Sequence, residues 1–131
     1  MDSNSIISYG FINWYIFSLN NQQSLINGLP TTSGVYIIRH GNGSFGRLRG
    51  YSDILYIGKT DQKGGIKTRI KSYFKPGPTQ WTNQRIYSFL LNLTHMEISY
   101  IYINNPRQLE VQLKQDYLND HDELPPFNRS I

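Results

Sequence analysis

Two short apolar runs separated by a glycine-rich stretch constrain the fold of this chain more than any other feature. The first reads Gly34-Val35-Tyr36-Ile37-Ile38 and the second Ile54-Leu55-Tyr56-Ile57-Gly58-Lys59-Thr60. Both are rich in β-branched and aromatic residues and read as strands. Alternate residues of a strand share a face, so Tyr56 and Gly58 point the same way. A glycine beside a phenol is expected to leave room for the close approach of a ligand's backbone. After a Gly64-Gly65 turn, Ile66 to Phe74 reads as a helix that brings Arg69 toward the same place. A guanidinium arriving there suits a phosphate clamp.

That helix is informative position by position. At 3.6 residues per turn, Ile66, Ile70, Tyr73 and Phe74 form one apolar stripe. Lys67, Lys71 and Lys75 form a row to one side, either solvated or facing phosphates. Arg69 falls on the other side, at the edge of the buried face and one turn from Tyr73. Such placement favours a site residue over an arginine used for solubility.

Charge is concentrated around this segment. Residues 39–75 carry a net +7 and the remainder −3, against +4 for all 131 residues. A basic patch beside a candidate site is the footprint expected of a nucleic-acid partner. The length fits one domain over residues 1–131. There is no cysteine, which excludes disulfides and thiolate metal sites and suits an intracellular protein. His40, His95 and His121 match no zinc-ligand spacing.

Residues 1–28 form an N-terminal extension. Its aromatic stretch Tyr9–Leu19 is too short to span a bilayer and lacks the marks of a signal peptide, so no membrane association is expected. It reads as a buried helix or strand, covering a face of the core or meeting a partner. His40 to Asp53 holds four glycines and reads as a long hairpin loop, on which Arg47 and Arg49 either reach a DNA backbone or are solvated. Thr79 is placed to cap a scaffold helix running to about Leu93, with Ile86, Phe89, Leu90 and Leu93 on its apolar face. Met96 to Asn104 reads as a third strand. Asn105-Pro106-Arg107-Gln108 then has the form of a capped helix start with a capping box. On that helix Leu109, Leu113 and Tyr117 define the buried stripe and Glu110 lies at its border. Glu110 either answers the helix dipole or serves as a hard oxygen ligand for a cation. Near the end, Pro125 and Pro126 stiffen the approach to Asn128. The sum is an α+β domain with a small, largely antiparallel three-stranded sheet flanked by helices.

Taken in order, Gly34-Val35-Tyr36, Tyr56-Ile57-Gly58, Arg69, Glu110 and Asn128 resemble the pattern of the GIY-YIG endonucleases, over residues 29–131. One departure is the 20-position separation of Tyr36 and Tyr56, longer than is usual in the family. The resemblance implies an endonuclease that hydrolyses DNA phosphodiesters with one magnesium or manganese ion. Glu110 would hold the ion, Arg69 would neutralise phosphoryl charge, and Tyr56 would act as general base. Tyr36 and Tyr73 would orient water or a phosphate oxygen, Asn128 would hydrogen-bond near the metal, Gly58 would leave room for the backbone, and Lys59 would help the base. Lys67, Lys71 and Lys75, with Arg47 and Arg49, would contact DNA. Specificity would come from the domain's own loops, from DNA shape, or from a second copy or a protein partner. The alternative is a nucleic-acid-binding module of the same fold that does not cut.

Overall fold

A computed structural model describes residues 1–92 and 95–131. The two apolar runs form strands β2 (Gly34–His40) and β5 (Ile54–Thr60), paired antiparallel so that Tyr36 sits directly opposite Gly58. Strand β6 (Met96–Tyr102) lies on the other side of β2, with Tyr100 opposite Tyr36. The N-terminal extension contributes β1 (Tyr15–Phe17), which pairs with β6. Among the described residues the sheet therefore has four strands, in the order β1-β6-β2-β5, where the sequence reading expected three. Nor is the loop after β2 without structure. It folds back as a two-stranded hairpin, β3 (Phe45–Gly46) with β4 (Tyr51–Ser52).

Helices cover both sheet faces, and strand alternation decides which residues face which layer. On one face Tyr36, Ile38 and Tyr56 pack with Ile66 and Ile70 of α2 (Gly65–Lys71) and with Tyr73 and Phe74 of the 3-10 turn Ser72–Phe74 that continues it. Leu25 of α1 (Gln22–Gly28) and Ile86 and Leu90 of α3 (Trp81–Asn92) complete that layer. Leu93, expected on the apolar face of α3, lies outside the described residues. On the other face Val35, Ile37 and Ile57 meet Leu113 and Tyr117 of α4 (Pro106–His121), with Ile6 and Phe11 from the extension. Each fully buried aliphatic or aromatic side chain contributes roughly 1.5–3 kcal/mol, so sheet and helices hold one another in place. Helix α4 starts at Pro106 as expected, but the Asn105 side chain makes no capping bond.

Strand β5 is an edge, and an uncovered edge invites pairing with another chain. Here the C-terminal tail covers it. The Phe127 N–H donates to the Leu55 carbonyl at 3.0 Å, and the Asn128 side chain bonds the Ile57 backbone. Among the described residues no helix is long and apolar enough to cross a membrane.

Candidate active site

Three phenols from three elements meet over Gly58. Tyr36 comes from β2, Tyr56 from β5 and Tyr73 from the turn after α2. Their ring centroids lie 6.0 Å (Tyr36–Tyr56), 6.2 Å (Tyr36–Tyr73) and 6.3 Å (Tyr56–Tyr73) apart, a nearly equilateral cluster. A Cβ at Gly58 would lie 2.4 Å from Tyr36 Cζ and 2.6 Å from Tyr56 Cε2. The space left by Gly58 is thus filled by the two phenol rings, which corrects the expectation that it admits a ligand's backbone. Gly34 has a different reason, because a Cβ there would come within 2.1 Å of the Ile101 carbonyl oxygen on β6.

Within the cluster the hydroxyls of Tyr36 and Tyr73 share a hydrogen bond, and Arg69 Nε donates to Tyr36 Oη at 3.3 Å. The guanidinium also lies 5.6 Å from the Tyr73 ring. Tyr36 and Tyr73 are completely buried. Burial, with the neighbouring Tyr56, pushes both hydroxyls well above the ordinary phenol range, against the pull of Arg69. Both are held as neutral phenols. Tyr56 differs, being one of the residues lining an open cleft of about 500 Å³ with Thr82, Lys114, Asn128, Arg129 and Ser130.

Glu110, on the first turns of α4, reaches this cleft through Lys114. The Lys114 ammonium lies 3.4 Å from Glu110 Oε2, and the two side chains are only 9% and 12% exposed. Sequence reasoning missed Lys114. The signal available was its spacing four residues after Glu110, which puts the two side chains on one helix face.

Three expectations are corrected by the geometry. Asn128 does not aim its amide at a metal position, because its Oδ1 accepts from the Ile57 N–H and its Nδ2 donates to the Ile57 carbonyl. It clasps the strand between Tyr56 and Gly58. Lys59 lies on the opposite strand face from Tyr56 across a regular ladder and sits 3.7 Å from Asp61, so it is not beside the base. Arg47 pairs with Glu123 at 3.0 Å and donates to the Leu124 carbonyl, pinning the hairpin to the end of α4 rather than offering a free cation. Arg49 is more exposed and meets Asp122 at 3.2 Å. Both arginines stand at the far end of α4 from Glu110, about 1.5 Å per residue away along the helix. Lys71 and Lys75 are exposed and Lys67 half-buried, none of them in an ion pair among the described residues.

No protein-family profile and no curated protein sequence matches the chain. Solved structures do. The chain is similar to the GIY-YIG N-terminal endonuclease domain of UvrC from Thermotoga maritima, in two point-mutant structures, each bound to the catalytic divalent cation. In both comparisons the identity is 18%, the match covers 84% of this chain and 97% of that domain, and the TM-score is 0.50. The likeness is one of fold: this chain shares the α+β architecture of that domain, an antiparallel sheet flanked by helices.

Proposed function

We propose that this protein is a divalent-metal-dependent endonuclease that hydrolyses DNA phosphodiester bonds. The observation that carries the reading is the convergence of Tyr36, Tyr56, Tyr73 and Arg69 on one face of the sheet, beside the edge strand β5, where Glu110 and Lys114 arrive from the opposite layer. The similar domain of UvrC binds a catalytic divalent cation on the same fold.

The residues here fit such an ion. Glu110 is mostly buried and already faces a cation, the Lys114 ammonium. Among the described residues no group of three or more His, Cys, Asp or Glu is placed to hold a metal, so Glu110 would hold the ion without a closed cage of such ligands. Magnesium, which keeps several waters and takes one or two carboxylates plus substrate phosphate, suits that donor set; manganese takes similar oxygen ligands. When bound, the ion would polarise the scissile phosphate and stabilise the leaving oxygen.

Arg69 is oriented by Tyr36 and stacked near Tyr73, so its outer nitrogens remain available for phosphoryl oxygens as charge accumulates. Tyr36 and Tyr73 act as neutral hydroxyls that fix Arg69 and the cluster. Tyr56, open to the cleft, is the phenol placed to take a proton from the attacking water. The lysine row Lys67, Lys71 and Lys75 would follow the DNA backbone outside the cleft. Magnesium plasmid nicking compared with excess chelator tests the reading, with Glu110→Gln as the control variant. Activity that the wild type shows in magnesium should vanish in chelator and in Glu110→Gln, while DNA binding stays within a few-fold. Wild-type turnover by Glu110→Gln would overturn the assignment, and DNA binding without any cleavage would favour the non-cutting alternative.

A further inference from the structure

Lysine is almost never buried without a partner, yet Lys114 is 8% exposed in the wall of the cleft. Its partner is Glu110, the carboxylate to which the proposed reading gives the metal, and this inference rests on that reading. The pair is not an ordinary surface pair between turns of a helix, because both side chains are largely out of water. Lys114 also lines the cleft beside Tyr56 and Asn128. Among the described residues the other charged side chain lining the cleft is Arg129, whose guanidinium lies over the Trp81 ring, 4.8 Å from its centroid. Two cationic residues thus line the space a phosphate would enter, and one of them also neutralises the carboxylate a metal would need.

We propose that Lys114 is a positioning residue that makes metal binding and phosphate binding depend on each other. In the free protein its ammonium serves as the counter-ion of Glu110 and opposes the entry of a divalent cation. A DNA phosphate in the cleft gives the ammonium a second anion, and Glu110 is then released to hold the ion. Coupling of this kind is reciprocal: whatever phosphate does for the metal, the metal does for phosphate. A buried ammonium on a flexible stem can make this exchange through rotamer changes alone.

The test is Mn2+ binding to the DNA-free protein, followed by electron paramagnetic resonance, together with duplex DNA binding in excess chelator. Lys114→Met removes the charge and keeps the buried stem, and Lys114→Arg keeps the charge. Lys114→Gln repeats the measurement if the Met variant does not fold. The neutral variant is expected to bind Mn2+ at least about 5-fold more tightly than wild type, the low end of a typical coupling. It should also bind duplex DNA more weakly in chelator, while Lys114→Arg stays near wild type for Mn2+. Adding Glu110→Gln to Lys114→Met should abolish the gained Mn2+ affinity. If Glu110→Gln removes Mn2+ binding but neutralising Lys114 leaves it unchanged or weaker, the coupling is wrong and the metal assignment stands. If Glu110→Gln leaves Mn2+ binding intact, Glu110 is not the ligand and both fall.

Discussion

The side chain of Asn128 closes on both backbone groups of one residue, Ile57, accepting from its N–H and donating to its carbonyl at 2.9 Å each. Ile57 stands between Tyr56 and Gly58 on the outer side of an edge strand, so this clasp sets the strand under two parts of the site. Asn128→Asp keeps the acceptor but sets a carboxylate oxygen against the Ile57 carbonyl. The expected loss is about 1–3 kcal/mol of unfolding free energy, measured in urea. Cleavage should fall by roughly 10-fold or more, because small misplacements of catalytic groups are costly. Mn2+ affinity should remain near wild type, and a large loss of it would show that Asn128 belongs to the metal site.

Tyr36→Phe leaves the Tyr73 hydroxyl buried without its partner and takes an acceptor from Arg69. A loss of about 1–3 kcal/mol at neutral pH is expected. The pH dependence is also specific. Folding holds the protons of Tyr36 and Tyr73 more tightly than the unfolded chain does, chiefly through burial. Their contribution is therefore fully present below the unfolded phenol pKa of about 10 and is lost as pH rises above it toward the folded values. Each such tyrosine adds up to about 1.4 kcal/mol per pH unit to the decline, so Tyr36→Phe should unfold less steeply with alkali. Equal alkaline slopes for wild type and variant would contradict the burial argument.

What the sequence made legible was local. Strand β5 spans the expected Ile54–Thr60, because its apolar run is dense and bounded by turn residues on both sides. The placement of Arg69 near Tyr73 followed from helical spacing, and the two do meet. Apart from Lys59, whose place on the opposite strand face was already readable from strand alternation, the misreadings came from long-range partners. Nothing local to Gly58 says that its empty side is filled by Tyr36 from another strand. Nothing local to Asn128 or Arg47 says that Ile57, 71 positions away, or Leu124, 77 positions away, will use its polar groups. The strand Tyr15–Phe17 is ambiguous between helix and strand in the sequence, since three residues carry too little period to decide. Lys114 escaped notice because a lysine in a helix is ordinarily solvated, and only the packing of α4 against β5 buries it.

Lys71 is exposed and Lys67 partly so, one turn apart on α2. Neutralising both should weaken DNA binding alike for all sequences. The dependence of log affinity on log salt should flatten by roughly 0.9 for each duplex phosphate no longer neutralised. Unchanged affinity and slope would place the DNA on another face.

Tyr56→Phe bears most directly on the chemistry. Of the three phenols over Gly58, Tyr36 and Tyr73 are wholly buried, bonded to each other and held protonated. A hydroxyl in that state can orient its neighbours but is poorly suited to accept a proton from water. Tyr56 is without that bond and lies on the cleft wall with Lys114 and Arg129. Replacing it with Phe removes one oxygen and should preserve fold, Mn2+ affinity and DNA affinity. Single-turnover cleavage should fall by at least about 100-fold, the lower end of what a general base contributes. The sign of the pH effect follows from the role: a base must be deprotonated, so the wild-type rate should rise with pH until the apparent pKa of the base is passed. Tyr56→Phe should lose that rising limb. If the variant is slow but its pH profile keeps the same limb, Tyr56 only positions the water and another group takes the proton.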